Sequence, residues 1–113
     1  MPKRIIKSVS NLFGVLSNPT RLQIIMLLNE SEKDVKEIHE RLGLSSSNAS
    51  QHLAILRAHH LVDLRQEGVH VFYRLRNKKV MDIIQQALKF FELELSEVES
   101  LREALTKVMD YDL

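Results

Sequence analysis

Between residues 45 and 57 the chain carries a run of short hydrogen-bonding side chains, Ser46, Ser47, Asn48, Ser50, Gln51 and His52, and Arg57 follows within two turns. Groups of this size suit the edges of stacked bases. Serine hydroxyls bond bases or phosphates, and glutamine can pair with adenine in a DNA major groove. Ala54 and Ala58 fall on the same helical face as Ser47 and Gln51, so the backbone there can approach a partner closely. A face kept only for solubility would more often carry Lys and Glu. Further on, Arg65 and His70 are candidates for phosphate or minor-groove contact, with Arg65 the stronger because it is charged at every relevant pH. Arg57, Arg74 and Arg76 can serve phosphates or make ion pairs within the chain.

Other chemistries lack their residues. There is no Walker motif, no G-x-G-x-x-G and no His-Glu-x-x-His, and Ser50 and His52 are too close along one helix to form a nucleophile pair. No enzyme and no cofactor are expected. Single-strand or RNA binding would call for exposed stacking aromatics, whereas Phe72 and Tyr73 share a strand pattern and Phe90 and Phe91 an apolar stripe. Cysteine is absent, which removes disulfides, thiolate nucleophiles and thiolate metal sites. Of the histidines, His52 lies beside the inward stripe, where packing, phosphate bonding and base reading stay open. His59 and His60 read as helix-end residues and His39 as surface.

These side chains need a scaffold, and 113 residues supply one domain, expected to span the whole chain. Ile5, Ile6, Val9, Leu12, Phe13 and Leu16 recur at helical spacing. Asn18-Pro19-Thr20 opens a second helix so dense in Ile and Leu that it should be almost wholly buried. Asp34 can cap a third, with Val35, Ile38 and Leu42 inward and Gly43 ending it. Ser45 or Ser46 caps the fourth, whose stripe is Ala49, Leu53 and Leu56. The period then changes to two around Val62 and Leu64 and again around Val71, Tyr73 and Leu75, a β-hairpin with Gly68 near its tip. From Lys78 to Met109 helical periodicity returns in Val80, Ile84, Ala87, Phe91, Val98, Leu101, Leu105 and Val108. Glu94 and a capping box at Ser96-x-x-Glu99 leave one helix or two open.

The expected architecture is mainly α with a small β-hairpin: a helix-turn-helix over about 35–60 followed by a wing over about 62–76. Charge follows it. Arg41 to Lys79 holds seven basic residues against two acidic, while the segment after Val80 holds three against eight. One face can thus approach phosphates while the acidic C-terminal segment is held away. No apolar run is long enough for a membrane span, and the chain reads as soluble and cytoplasmic.

Leu16-Ser17-Asn18-Pro19-Thr20-Arg21-Leu22, then Leu42-Gly43-Leu44-Ser45 followed by Ser50-Gln51-His52-Leu53-Ala54, and Leu61-Val62 leading to Arg65-Gln66-Glu67-Gly68-Val69-His70-Val71-Phe72-Tyr73, stand in this order along the chain. In these motifs the sequence resembles the ArsR/SmtB winged-helix transcriptional repressors. The resemblance implies a homodimeric repressor of a double-stranded, inverted-repeat operator. Its dimer helices would be 3–16 and 78–109, through Ile5, Ile6, Val9, Leu12, Phe13, Ile84, Phe91, Val98, Leu101 and Leu105. Metal sensing is not expected. Where metal-sensing relatives place cysteines this chain has Asp34 and Lys36, and no histidine follows His70. No effector is identified by the residues. The alternative is a winged-helix dimerising adaptor that works through protein contacts without DNA.

Overall fold

A computed structural model describes residues 1–111, except the side chains at 95, 96 and 108–111. The chain divides into two compact units, Met1–Met81 and the segment from Asp82 onward.

In the first unit, α1 (Lys3–Leu16) ends on buried Val15 and Leu16. It leads to α2 (Pro19–Glu30), where Asn18 Oδ1 accepts from the Arg21 amide at 3.0 Å and Pro19 occupies the first turn, where its missing N–H costs nothing. Ile24, Ile25, Leu27 and Leu28 of α2 are buried and form the centre of the core. The helix is less enclosed than its composition predicts, because Met26 is 42% exposed and Gln23 faces solvent.

The short helices follow their caps. Asp34 Oδ1 accepts from the Lys36 amide at 2.7 Å to open α3 (Val35–Leu42). Gly43 closes it in the left-handed region at φ 67°, and the Leu44 amide returns to the His39 carbonyl at 2.8 Å. Ser45 is the cap of α4 (Ser46–Ala58), its hydroxyl accepting from the Asn48 amide at 3.0 Å. Ile38 of α3 and Ala49, Leu53 and Leu56 of α4 are all fully buried, so the two helices lock together through one apolar seam. His60, at φ 61°, then turns the chain into the sheet, a left-handed position at a non-glycine residue.

The sheet is larger than a hairpin. β2 (Val62–Glu67) and β3 (His70–Leu75) pair antiparallel across a two-residue tip, where Gly68 has a positive φ and Val69 does not, as a II′-type turn requires. A third strand, β1 (Lys33–Asp34), pairs with the other edge of β3, with Lys33 opposite Tyr73 and Asp34 opposite Phe72. Two polar residues cannot display an alternating pattern, so this strand is created by its partner. Val62, Tyr73 and Leu75 face the core.

Asn77 Oδ1 accepts from the Lys79 amide at 2.9 Å before α5 (Val80–Tyr111) begins. Val80 and Met81 are buried in the first unit. The helix continues without a break through 96, so the capping box at Ser96 does not start a second helix. Neither Gly nor Pro occurs between 80 and 111 to interrupt it. The Ser96 side chain and the last stripe residue, Val108, lie outside the described side chains.

Candidate nucleic-acid interface

The α3–turn–α4 pair presents α4 with its apolar seam inward and its polar face outward. Ser46, Ser47, Asn48, Ser50, Gln51, Ala54 and Arg57 are all exposed. Because Ser45 is consumed by the cap, the hydroxyls of Ser46, Ser47 and Ser50 and the Gln51 amide have no intramolecular partner among the described residues. Helical periodicity centres Ser47, Gln51 and Ala54 on the outermost line and puts Ser46, Ser50 and Arg57 along one flank. Arg57 makes no ion pair among the described residues, so its charge is available to a phosphate.

His52 is placed differently. It is half-buried, and its Nδ1 meets Arg21 Nη1 at 3.4 Å, while Arg21 Nε donates to the Val15 carbonyl at 2.7 Å. Arg21 thus ties the end of α1 to α4 through His52. That makes His52 a positioning residue more than a base reader, and it gives the arginine of the Pro-Thr-Arg-Leu run a role that sequence reasoning missed.

The wing differs most from expectation. Arg65 hydrogen-bonds to Glu32 through Nε and to Glu67 through Nη1, the latter at 2.6 Å, and its guanidinium lies 4.5 Å above the centre of the Phe72 ring. The bond Arg65 donates to Glu67, then the one it donates to Glu32, raises the Arg65 pKa above its ordinary value, and the hydrogen bond and charge of Arg65 lower that of Glu67. One guanidinium facing two carboxylates leaves a local excess of negative charge. Arg65 is therefore a poor phosphate anchor and a good latch between the hairpin and Glu32, just ahead of β1. His70 is also engaged, with Nδ1 2.7 Å from Asp34 Oδ2. The Lys36 amide first, and His70 second, hold the Asp34 carboxyl below its usual range. Arg65 on β2 and Glu32 beside β1 meet across β3, and Asp34 on β1 meets His70 on β3, proximities that sequence separation conceals.

Apolar side chains remain exposed on two helices. On α1 these are Ile5, Ile6, Val9 and Phe13, with Leu12 half-buried. On α5 they include Leu88, Phe91, Val98, Leu101 and Leu105. Ile84, near the start of α5, is 6% exposed within the single chain. Among the described residues no group of three or more His, Asp or Glu is arranged to hold a metal, and no helix is long and apolar enough to cross a membrane.

A helix-turn-helix with an exposed polar second helix and a three-stranded wing defines the winged helix-turn-helix class of DNA-binding modules. Residues 18–64 match the family of bacterial regulatory proteins named for arsR. Among curated relatives, the transcriptional activator HlyU of Vibrio cholerae is 42% identical over 85 residues, covering 75% of this chain and 78% of HlyU. The regulator KmtR of Mycobacterium tuberculosis is 38% identical over 80 residues, 71% of this chain, and the match spans only 62% of KmtR. A solution structure described as the homodimeric winged helix-turn-helix DNA-binding domain of a possible ArsR-family regulator from Mycobacterium bovis superposes with a TM-score of 0.75. Its identity is 27%, over 86% of this chain and 93% of that one. The chain belongs to the arsR family, whose members are transcriptional regulators and not enzymes.

Proposed function

We propose that this protein is a homodimeric, sequence-specific regulator that occupies an inverted-repeat operator in double-stranded DNA. The observation that carries this reading is the outer face of α4, where unpartnered hydroxyls and the Gln51 amide stand beside small Ala54. In this reading Ser47, Ser50 and Gln51 read base edges, Ser46 and Asn48 bond the backbone near the helix start, and Arg57 neutralises a phosphate. The exposed apolar rows of α1 and α5 are buried against a second copy, as expected of patches this large on a small chain. The homodimer described for the Mycobacterium bovis relative supports that assignment. Where its operator overlaps a promoter, such a dimer excludes the polymerase and represses.

The test is selection from a random double-stranded DNA library at physiological salt, with light scattering to follow the dimer. An enriched inverted repeat with half-sites about one helical turn apart, or a multiple of it, supports the reading. A well-folded dimer that enriches nothing refutes DNA readout and favours the adaptor.

A further inference from the structure

At the base of the wing a cavity of about 430 Å³ opens between the end of α2 and the end of β3, lined by Leu28, Ser31, Glu32, Arg74, Leu75, Arg76 and Lys78. Its charges do not balance. The carboxylate of Glu32 shares the Arg65 guanidinium with Glu67, so its charge is only partly offset, and it stands against three lining cations. Arg74 reaches Asp63 only at 4.0 Å, Arg76 meets the imidazole Nδ1 of His60 at 3.0 Å, and Lys78 has no partner among the described residues. Behind the wall lies a further cation. Lys33 is only 6% exposed, yet its ammonium is met by Ser31 alone, at 2.6 Å from Oγ and 3.4 Å from the carbonyl, with no carboxylate among the described residues. A part-buried ammonium met only by neutral oxygens is favourably placed for a nearby anion.

We infer that this cavity is a binding site for a small organic anion, a carboxylate or phosphate ester with a short apolar body. Ser31 Oγ accepts from Lys33, so its own O–H is free to donate to the anion. Arg76 and Lys78 supply charge, and Leu28 and Leu75 give the apolar part a dry wall. Because β3 is a strand of the wing, the ligand would bridge the wing to the α2 end. The site shares no residue with the face of α4 assigned to DNA, so it stands or falls independently of that assignment.

The test titrates the full chain with phenyl phosphate, and with inorganic phosphate as the headgroup alone, following backbone amides by NMR. Saturable shifts confined to Ser31, Glu32, Lys33, Leu75 and Arg76, tighter for phenyl phosphate, are expected. Lys78→Ala, on an exposed side chain that leaves folding intact, should weaken binding roughly tenfold, the loss of one charge-assisted contact. Its binding to duplex DNA, and the salt dependence of that binding, should match the unsubstituted protein. Absence of saturation, or shifts spread evenly over exposed cations such as Arg57 and Lys79, overturns the proposal. So does a Lys78→Ala variant with a flattened salt dependence on DNA, which would give the cavity to the nucleic-acid backbone.

Discussion

Arg57 and Arg65 are both exposed arginines on the basic middle of the chain, yet their charges should count differently in DNA binding. Each phosphate neutralised by a protein cation contributes about 0.9 to the slope of log affinity against log salt. A two-fold dimer presents Arg57 twice, so Arg57→Ala should flatten the slope by about 1.8 and weaken binding roughly 30-fold at ~0.15 M salt, about 2 kcal/mol. Arg65 faces Glu32 and Glu67 and has no charge to spare. Its clean test neutralises the whole cluster, as Glu32→Gln, Arg65→Ala and Glu67→Gln together, which removes one net negative charge per protomer. That variant should keep or slightly steepen the slope. Fluorescence anisotropy with a labelled operator duplex over a series of salt concentrations measures both. A slope flattened by the triple variant as much as by Arg57→Ala would refute the latch assignment, and an unchanged slope for Arg57→Ala would remove its phosphate contact.

Gln51→Ala should cost roughly 1 to 3 kcal/mol on the selected operator and much less on sequences altered at the contacted base pair, as a bidentate base contact requires; equal losses on every sequence, read in the same anisotropy assay, would contradict it. Leu53 is fully buried in the α3–α4 seam, so Leu53→Ala should destabilise the fold by about 2–5 kcal/mol, seen as a lower urea midpoint. A Cβ at Gly43 would meet nothing within 4 Å, so Gly43→Ala should cost only the left-handed backbone, about 1–2 kcal/mol, in the same urea measurement. Asp34 and Glu67 have depressed pKa values in the folded chain, against ordinary values of 3.8 and 4.5. Their contribution is therefore present above those ordinary values and lost as pH falls toward the depressed ones. Asp34→Asn, which keeps an acceptor for the Lys36 amide, should flatten thermal stability against pH in that acid window, and an unaltered profile would show that Asp34 does not contribute to it.

Much of the scaffold was legible because its signals are local. Asn18, Asp34, Ser45 and Gly43 act on amides or carbonyls a few residues away, so residue type and spacing place the start of α2, both ends of α3 and, between Ser45 and Ser46, the start of α4. The inward stripe Ala49, Leu53 and Leu56 and the hairpin alternation are likewise periodic facts of the chain. The outward face of α4 follows by elimination, and with it the side chains proposed to read DNA. The capping box at Ser96 shows the limit of such signals, since a good local cap did not stop a helix with neither Gly nor Pro to interrupt it.

The sequence by itself determined the first four helices, the hairpin and the polar face of α4, because each depends on interactions between residues close along the chain, and it left 78–109 open between one helix and two. Tertiary structure alone decided which charges are free. Arg65 meets Glu32 across 33 residues, His70 meets Asp34 across 36, and Arg21 meets His52 across 31. It also made β1, a pair of residues that become a strand only against β3, and it buried Lys33 beside a cavity. A cation's availability depends on what folds next to it, and no local pattern encodes a partner thirty residues away.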